Sequence, residues 1–211
     1  MITLIDLHYL PSLEYFSVLL SSDEVYIERH EHYVKQSFRN RCNINTANGV
    51  LKLVVPVTAK HNKATISNVR IDHSTKWQNL HWRAIRSAYG KAPFFDHYGP
   101  ALEKIIFKRH DFLFDLNREL LSFCLQSARL NVTLAETSAY EKVPEKIITD
   151  LRSAINPKIP YTARSFLSPA PYVQVFGNKF VTNLSFIDLL FCEGPNARQI
   201  LQSSTRGYLN N

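Results

Sequence analysis

Arg39-Asn40-Arg41-Cys42-Asn43-Ile44-Asn45-Thr46-Ala47-Asn48-Gly49-Val50-Leu51-Lys52-Leu53-Val54-Val55 is the stretch whose reading decides the fold. Asn-Gly between two alternating runs is the strongest short-range signal for a β-hairpin, because a type I′ turn needs positive φ at both central residues. Placing Asn48-Gly49 at the tip pairs Ala47 with Val50, Thr46 with Leu51, Ile44 with Leu53 and Cys42 with Val55. Directly opposed residues share a face, and neighbours along a strand alternate. One face then carries Phe38, Cys42, Ile44, Leu51, Leu53 and Val55, with Gln36 and Asn40 as polar exceptions. The other carries Lys35, Ser37, Arg39, Arg41, Asn43, Asn45 and Lys52. A slip of one residue would scramble that separation. The expected hairpin runs over 35–57, with an oily face for a core and a basic ridge opposite.

Outward from the hairpin the chain alternates between strands and helices. Residues 2–5 read as a strand, and Pro11 stands in the first turn of a helix carrying Leu13, Phe16, Val18, Leu19 and Leu20. Val25 to Glu28 reads as a second strand, and 66–71 as a weakly alternating one. Ser74 is the expected cap of a helix from Thr75 to Tyr89, whose Trp77, His81, Ala84, Ile85 and Ala88 form one stripe. Gly90 and Pro93 end it. Further helices are expected over Pro100 to Lys108 and, capped by Asp111, over 111–129. The stretch 138–171 contains five prolines and reads as loop with a short helix at Glu145 to Ser153. Pro171 to Thr182 reads as strand material broken at Gly177. Ser185 caps a helix over Phe186 to Phe191, and Pro195 opens a last helical piece. With no repeat and no linker-like segment, the expectation is a single mixed α/β domain over 1–211, its mixed sheet flanked by helices.

Composition narrows the function classes. The chain has 211 residues, 45% of them hydrophobic and 12% aromatic, enough to bury an ordinary core. Lysine and arginine outnumber aspartate and glutamate by 25 to 18, a net +7. This excess points toward anionic partners, but no run of like charges or recognition motif speaks for specific nucleic-acid binding. Cys42, Cys124 and Cys192 are odd in number and widely spaced, so they read as buried reduced thiols and not as a disulfide framework or zinc site. The start, with Asp6 early and no cleavage pattern, is not a signal peptide, and no apolar run approaches the roughly 20 residues of a membrane span. A cytoplasmic protein without a membrane span is expected.

Several segments taken together resemble the WbqC-like protein family. They are Tyr9-Leu10-Pro11 with Tyr15-Phe16, Tyr33-Val34-Lys35-Gln36-Ser37-Phe38-Arg39-Asn40-Arg41, Leu53-Val54-Val55-Pro56-Val57, then Trp77, His81-Trp82, Ile85 and Tyr89 in that order. Leu184-Ser185-Phe186-Ile187-Asp188-Leu189-Leu190-Phe191 and Gly194-Pro195 close the series. The Lys35 to Arg41 form is most similar to the branch found in Bacteroidetes-type bacteria. Many members begin with Gln-Pro-x-Tyr; here that stretch is Asp6-Leu7-His8-Tyr9, so no role of that glutamine carries over. The family takes its name from bacterial surface-polysaccharide (O-antigen) gene clusters. The resemblance thus implies making or modifying sugars, with no reaction or cofactor carried over; joined to the basic hairpin face, it makes the leading expectation an enzyme of surface-glycan metabolism, a transferase on an anionic sugar or nucleotide-sugar. The competing expectation is a non-catalytic assembly protein that docks an acidic partner through its basic hairpin face.

The residues supply candidate roles for such a site. Arg39 and Arg41, about 7 Å apart along a strand, could clamp a phosphate or carboxylate, with Lys35 assisting and Asn43 adding a hydrogen bond. An anionic small molecule is the expected ligand. His81, on the apolar stripe, has the chemistry for acid/base work, with Tyr89 as its neighbour in proton transfer or positioning. The bland reading of His81 is a core histidine satisfied by one hydrogen bond. His8 and Tyr9 are expected site lining. Cys42 on the oily face reads as inert, and Asp188 as a buried partner for an arginine. His30 and His32, with Glu28 and Glu31 nearby, lack the downstream partner that a metal site needs.

Overall fold

The computed structural model describes residues 1–58 and 64–205. Its organising element is the apolar run at the start of the chain, which forms β1 (Ile2–Asp6), buried from Thr3 onward. A strand buried on both faces is what a central position in a parallel sheet requires. Helix α1 (Leu13–Leu20) carries the chain back, and β2 (Glu24–Glu28) lies parallel to β1, Ile2 facing Glu24 and Asp6 facing Glu28. Two short strands complete the sheet far downstream. β5 (Leu134–Glu136) adds outside β2, and β6 (Ile148–Asp150) outside β1, both parallel. The order is β5-β2-β1-β6. The chain winds from β1 through β2 to β5, then crosses back to the far side of β1. The winding direction reverses between β1 and β6. In open parallel sheets, ligands bind beyond the carboxyl ends of the strands at that reversal.

The long excursion between β2 and β5 holds the hairpin, β3 (Arg41–Thr46) and β4 (Gly49–Val54), as a separate two-stranded antiparallel sheet. Its register differs by two residues from the sequence expectation: Cys42 faces Leu53, Ile44 faces Leu51 and Thr46 faces Gly49. The turn is Ala47-Asn48, not Asn48-Gly49. Only Gly49 takes positive φ, at 94°, which rules out type I′. The Thr46 hydroxyl accepts from Asn48 N–H (3.2 Å) and donates to the Gly49 carbonyl (2.7 Å), which anchors the turn at Ala47-Asn48. A shift of two keeps every side chain on its face, so Cys42, Ile44, Leu53 and Val55 are buried as expected. Leu51, expected inside, is 40% exposed.

The basic ridge does not form. Strand geometry begins only at Arg41, because Gln36 has φ 56° and Phe38 to Asn40 make a single 3₁₀ turn capped by Ser37. Lys35 stays on an exposed loop and Arg39 turns inward. Other boundaries move for local reasons. Residues 66–71 make a 3₁₀ turn at Ile66–Asn68 and single bridges instead of a strand. Helix α2 (Trp77–Tyr89) starts after Lys76, and Ser74 is drawn into a turn by Asp72 (2.9 Å). Helix α3 (Phe95–Phe107) begins before Pro100, which sits inside it; the preceding Gly99 has no Cβ to clash with the proline ring. Helix α4 (Leu113–Ser127) is preceded by Phe112, so Asp111 does not cap it. The expected helix at 145–153 is strand β6, and β5 was not anticipated. No strand forms over 171–182; instead the Gln174 side-chain carbonyl accepts from Val181 N–H (2.8 Å). Helix α5 (Phe186–Glu193) follows, but the Ser185 hydroxyl donates to the Leu10 carbonyl (2.8 Å) and accepts from no N–H of the helix end. A 3₁₀ turn at Gly194–Asn196 leads into α6 (Ala197–Ser204). Helix α6 packs on α1, α5 on α3 and α4, and α2 on β3, so the elements share one continuous apolar core.

Candidate functional site

All four parallel strands end on a carboxylate: Asp6, Glu28, Glu136 and Asp150. A row of like charges at one sheet edge repels unless cations are interleaved. Arginines from the connecting loops do this. Arg152 donates to Asp150 (2.6 and 2.9 Å) and to Glu28 (3.1 Å), and Arg29 donates to Glu136 (2.7 Å). Glu28 also accepts from His30 N–H (2.7 Å) and the Thr137 hydroxyl (2.9 Å).

The centre of the row lies at the β1 end. Arg39, only 1% exposed, forks onto Glu31 at 2.7 and 2.6 Å, reaches Asp6 at 3.0 Å, and donates to the Ser153 hydroxyl at 3.0 Å. Asp6 further accepts from Ser153 N–H (2.8 Å). This ties β1, the loop after β2, the 3₁₀ turn and the loop after β6 into one buried cluster. Burial alone would raise the Asp6 carboxyl, but the Arg39 charge and the His8 contact hold it below the usual carboxylate range. Glu31 goes the other way: burial pushes it up to about 7 against the pull of Arg39, with Asp6 and Glu28 adding to the rise.

His8 completes the cluster. Its Nε2 lies 3.0 Å from Asp6. An ionised carboxylate only accepts, so Nε2 carries the proton. Nδ1 is buried and has no hydrogen-bond partner. The ring packs on Tyr15 (4.6 Å between centroids) and Phe38 (5.6 Å). Two residues on, Leu10 adopts φ 41°, a left-handed conformation that a branched residue before a proline rarely takes. Such strain concentrates at functional sites, where neighbours hold it in place; here the neighbour is Ser185.

The other sequence candidates fall into separate groups. Tyr9 points away from His8 and donates to His81 Nδ1 (2.9 Å), while His81 Nε2–H donates to the Val54 carbonyl (3.1 Å). Both ring nitrogens of His81 are thus engaged inside the fold, and burial lowers its pKa from 6.5 to about 4. A base whose folded pKa is depressed stabilises the fold above its unfolded pKa and loses that contribution as pH falls toward the folded value. The His81 contribution to the unfolding free energy should therefore drop by up to about 3 kcal/mol between pH 6.5 and 4, while Glu31, with its folded value raised, works in the opposite sense over the same range. Urea titrations of wild type and His81→Gln at those two pH values isolate it: the difference between the two proteins should change by that amount. Tyr89 belongs to a third group: its hydroxyl donates to Asp188 (2.8 Å) and accepts from Asn45 N–H (3.1 Å). The partners of Asp188 are Tyr89, Tyr172 (2.6 Å) and Gln174 (3.0 Å), not an arginine. Arg41 is half-buried, with its Nε enclosed and unpartnered. Asn43 and Tyr9 border a water-sized cavity beside Phe38 and Cys42. Burial pushes the Cys42 thiol up, which keeps it protonated.

Sequence reading gave no role to Asp6, Arg152 and Ser153, and weighed Glu28 and Glu31 only beside His30 and His32 as a metal site. The available signal was a carboxylate closing each of two apolar strands, Ile2–Asp6 and Glu24–Glu28. A groove of about 300 Å³ borders the same edge, lined by Tyr26, Glu28, Glu136, Thr137, Glu141 and Glu145 among others.

The fold and its edge define an open parallel α/β domain with a polar site at the strand carboxyl ends. The sequence pattern of the WbqC-like protein family matches residues 7–170, and the chain belongs to that family. A Mycobacterium tuberculosis protein, "Uncharacterized protein Rv1507c", is 32% identical over 144 residues, 66% of this chain and 61% of that protein. The match thus spans less than two thirds of that relative's length. No solved structure matches the chain. Among the described residues, no helix is long and apolar enough to cross a membrane.

Proposed function

We propose that the chain is a transferase acting on an anionic sugar or nucleotide-sugar in surface-polysaccharide biosynthesis, with the sugar held at the carboxyl edge of the sheet. The observation that carries this reading is the groove of about 300 Å³ lined by two of the strand-terminal carboxylates, Glu28 and Glu136, next to the reversal between β1 and β6. Ionised carboxylates accept hydrogen bonds from sugar hydroxyls, and the groove lies at the lower end of the size range of small-molecule sites. Membership of a family named for polysaccharide gene clusters supports the substrate class by analogy. The anionic end of such a ligand needs a cation. Arg39 is engaged with Asp6 and Glu31, so this role falls to Arg41, whose Nε has no partner, and to Lys35 on the neighbouring loop.

Thermal unfolding in the presence of uridine diphosphate glucose, uridine diphosphate N-acetylglucosamine or guanosine diphosphate mannose tests the proposal. A ligand at 100 times its Kd stabilises by about 2.7 kcal/mol, a rise of several degrees in Tm. The shift should exceed that given by the free nucleotide and should shrink in Arg41→Ala and Glu28→Gln. Absence of any shift with all three sugars would remove the reading.

A further inference from the structure

We infer that His8 is the proton-transfer residue of this site and Asp6 its positioning residue, acting on a substrate hydroxyl or amine. The inference rests on the transferase reading for its substrate class, but its own ground is the geometry around one ring. His8 Nε2 is fixed on Asp6 at 3.0 Å, and Asp6 is fixed in turn by Arg39 at 3.0 Å and by Ser153 N–H at 2.8 Å. A carboxylate held on both sides sets the ring tautomer and orientation and stabilises the cation that forms when the other nitrogen takes a proton. That other nitrogen, Nδ1, is buried without a partner. A buried acceptor left unpaired costs about 1–3 kcal/mol, and in a chain that satisfies both nitrogens of His81 it marks a place where a ligand group belongs. His110 Nε2 is also buried without a hydrogen-bond partner, but it lies 3.4 Å from the Glu119 carboxylate and far from the strand ends in the chain; His30 Nε2 lies against the Thr137 carbonyl (3.1 Å) and His73 Nε2 against that of His110 (2.8 Å).

Position agrees with chemistry. His8 follows the carboxyl end of β1, which borders the winding reversal, and the strained Leu10 lies two residues on. Of the two rings packed on His8, Tyr15 is buried and Phe38 half-buried, so in this assignment substrate comes in past Phe38. In the step, the acceptor O–H bond breaks and its proton bonds to Nδ1. The electron pair left on oxygen forms the bond to the anomeric carbon of the sugar nucleotide. The bond from that carbon to the nucleoside diphosphate breaks, and the diphosphate leaves with the bonding pair. The imidazolium stands beside ionised Asp6 until it passes the proton to water.

Two measurements test this. In full-length protein labelled with ¹⁵N-histidine, long-range ¹H–¹⁵N spectra should show His8 as the Nε2–H tautomer with a bare Nδ1, and Asp6→Asn should mix the tautomers. A wild-type ring protonated on Nδ1 and bare on Nε2 would overturn the assignment. With uridine diphosphate glucose as donor, release of uridine diphosphate should fall at least about 100-fold in kcat for His8→Asn with KM little changed. Asp6→Asn should lower kcat and displace the acid limb of its pH profile. If the sugar nucleotide is turned over and His8→Asn keeps the wild-type rate, the role of His8 is wrong while the transferase reading survives. If no sugar nucleotide is turned over, the reading fails, and diethyl pyrocarbonate decides the role of His8: Phe38→Ala should speed modification of Nδ1 at least about tenfold, and a ring still unreactive would overturn it.

Discussion

Arg39→Ala should lower the unfolding free energy by about 3–5 kcal/mol, read as a lower urea midpoint at unchanged m. The loss comes less from the missing attraction than from what is left behind. Asp6 and Glu31 are both buried, and the one guanidinium that neutralises them also bridges to Ser153. Without it, each carboxylate must either stay charged in the interior or take up a proton on folding. The variant should therefore become pH-dependent in a specified direction. With the folded pKa values of both groups above their unfolded values, stability is greatest below about pH 4 and declines as pH rises toward 8. In the wild type Glu31 already gives this slope, while Asp6, its folded value lowered, contributes the opposite one; the variant removes that opposition. Arg39→Lys should recover only part of the loss, because an ammonium cannot fork across both Glu31 oxygens while reaching Asp6. A variant as stable as wild type would mean that the cluster rearranges around water and is not the fixed constellation described above.

Gly194→Ala should cost about 2–5 kcal/mol, for two reasons that add. Gly194 ends α5 with φ 53° and ψ −123°, a conformation open to glycine alone. A Cβ placed there would also lie 2.4 Å from Cδ1 of Phe94 and 2.5 Å from its Cγ, far inside contact distance. Phe94 cannot retreat freely, since its N–H donates to the Phe191 carbonyl at 3.0 Å. Gly49 is the control. It too has positive φ, but a Cβ there would meet nothing within 4 Å, so Gly49→Ala should cost only about 1–2 kcal/mol of backbone strain. Thermal unfolding of the two variants separates the terms. Adding Phe94→Ala to Gly194→Ala should recover part of the loss, and strict additivity would show that the ring is not what the new methyl meets.

How much could be read in advance depended on how local the cause was. β1, α1, β2, the stripe of α2 and the faces of the hairpin follow from periodicity, which neighbouring residues impose on one another. The hairpin register did not, because Asn48-Gly49 fits two turns equally well and the Thr46 hydroxyl chooses between them. β5 and β6 are three residues each. Nothing within Leu134–Glu136 or Ile148–Asp150 demands a strand; the exposed flanks of β2 and β1 do. The same distinction separates the candidate residues. His8 and Arg39 were named, but as lining and as half of an anion clamp. An extended reading of 35–41 put Arg39 on a surface, whereas a left-handed Gln36 and one 3₁₀ turn carry it into the core. Glu31 is near it in the chain, but its partners Asp6 and Ser153 are distant, and the sheet order brings them together.

That sheet order also sets a timetable for biosynthesis. β1 leaves the ribosome long before its outer neighbour β6, residues 2–4 pairing with 148–150. Parallel pairing over such a separation is slow and late. Asp6, Glu31 and Arg39 can meet early, but the main-chain and side-chain contacts of Ser153 arrive only when residues beyond β6 have been made. Until then β1 presents an unpaired apolar edge. A nascent chain stalled before residue 148 should be a client for chaperones, and a truncation at that point should yield a molecule that gathers into aggregates and not a smaller working domain.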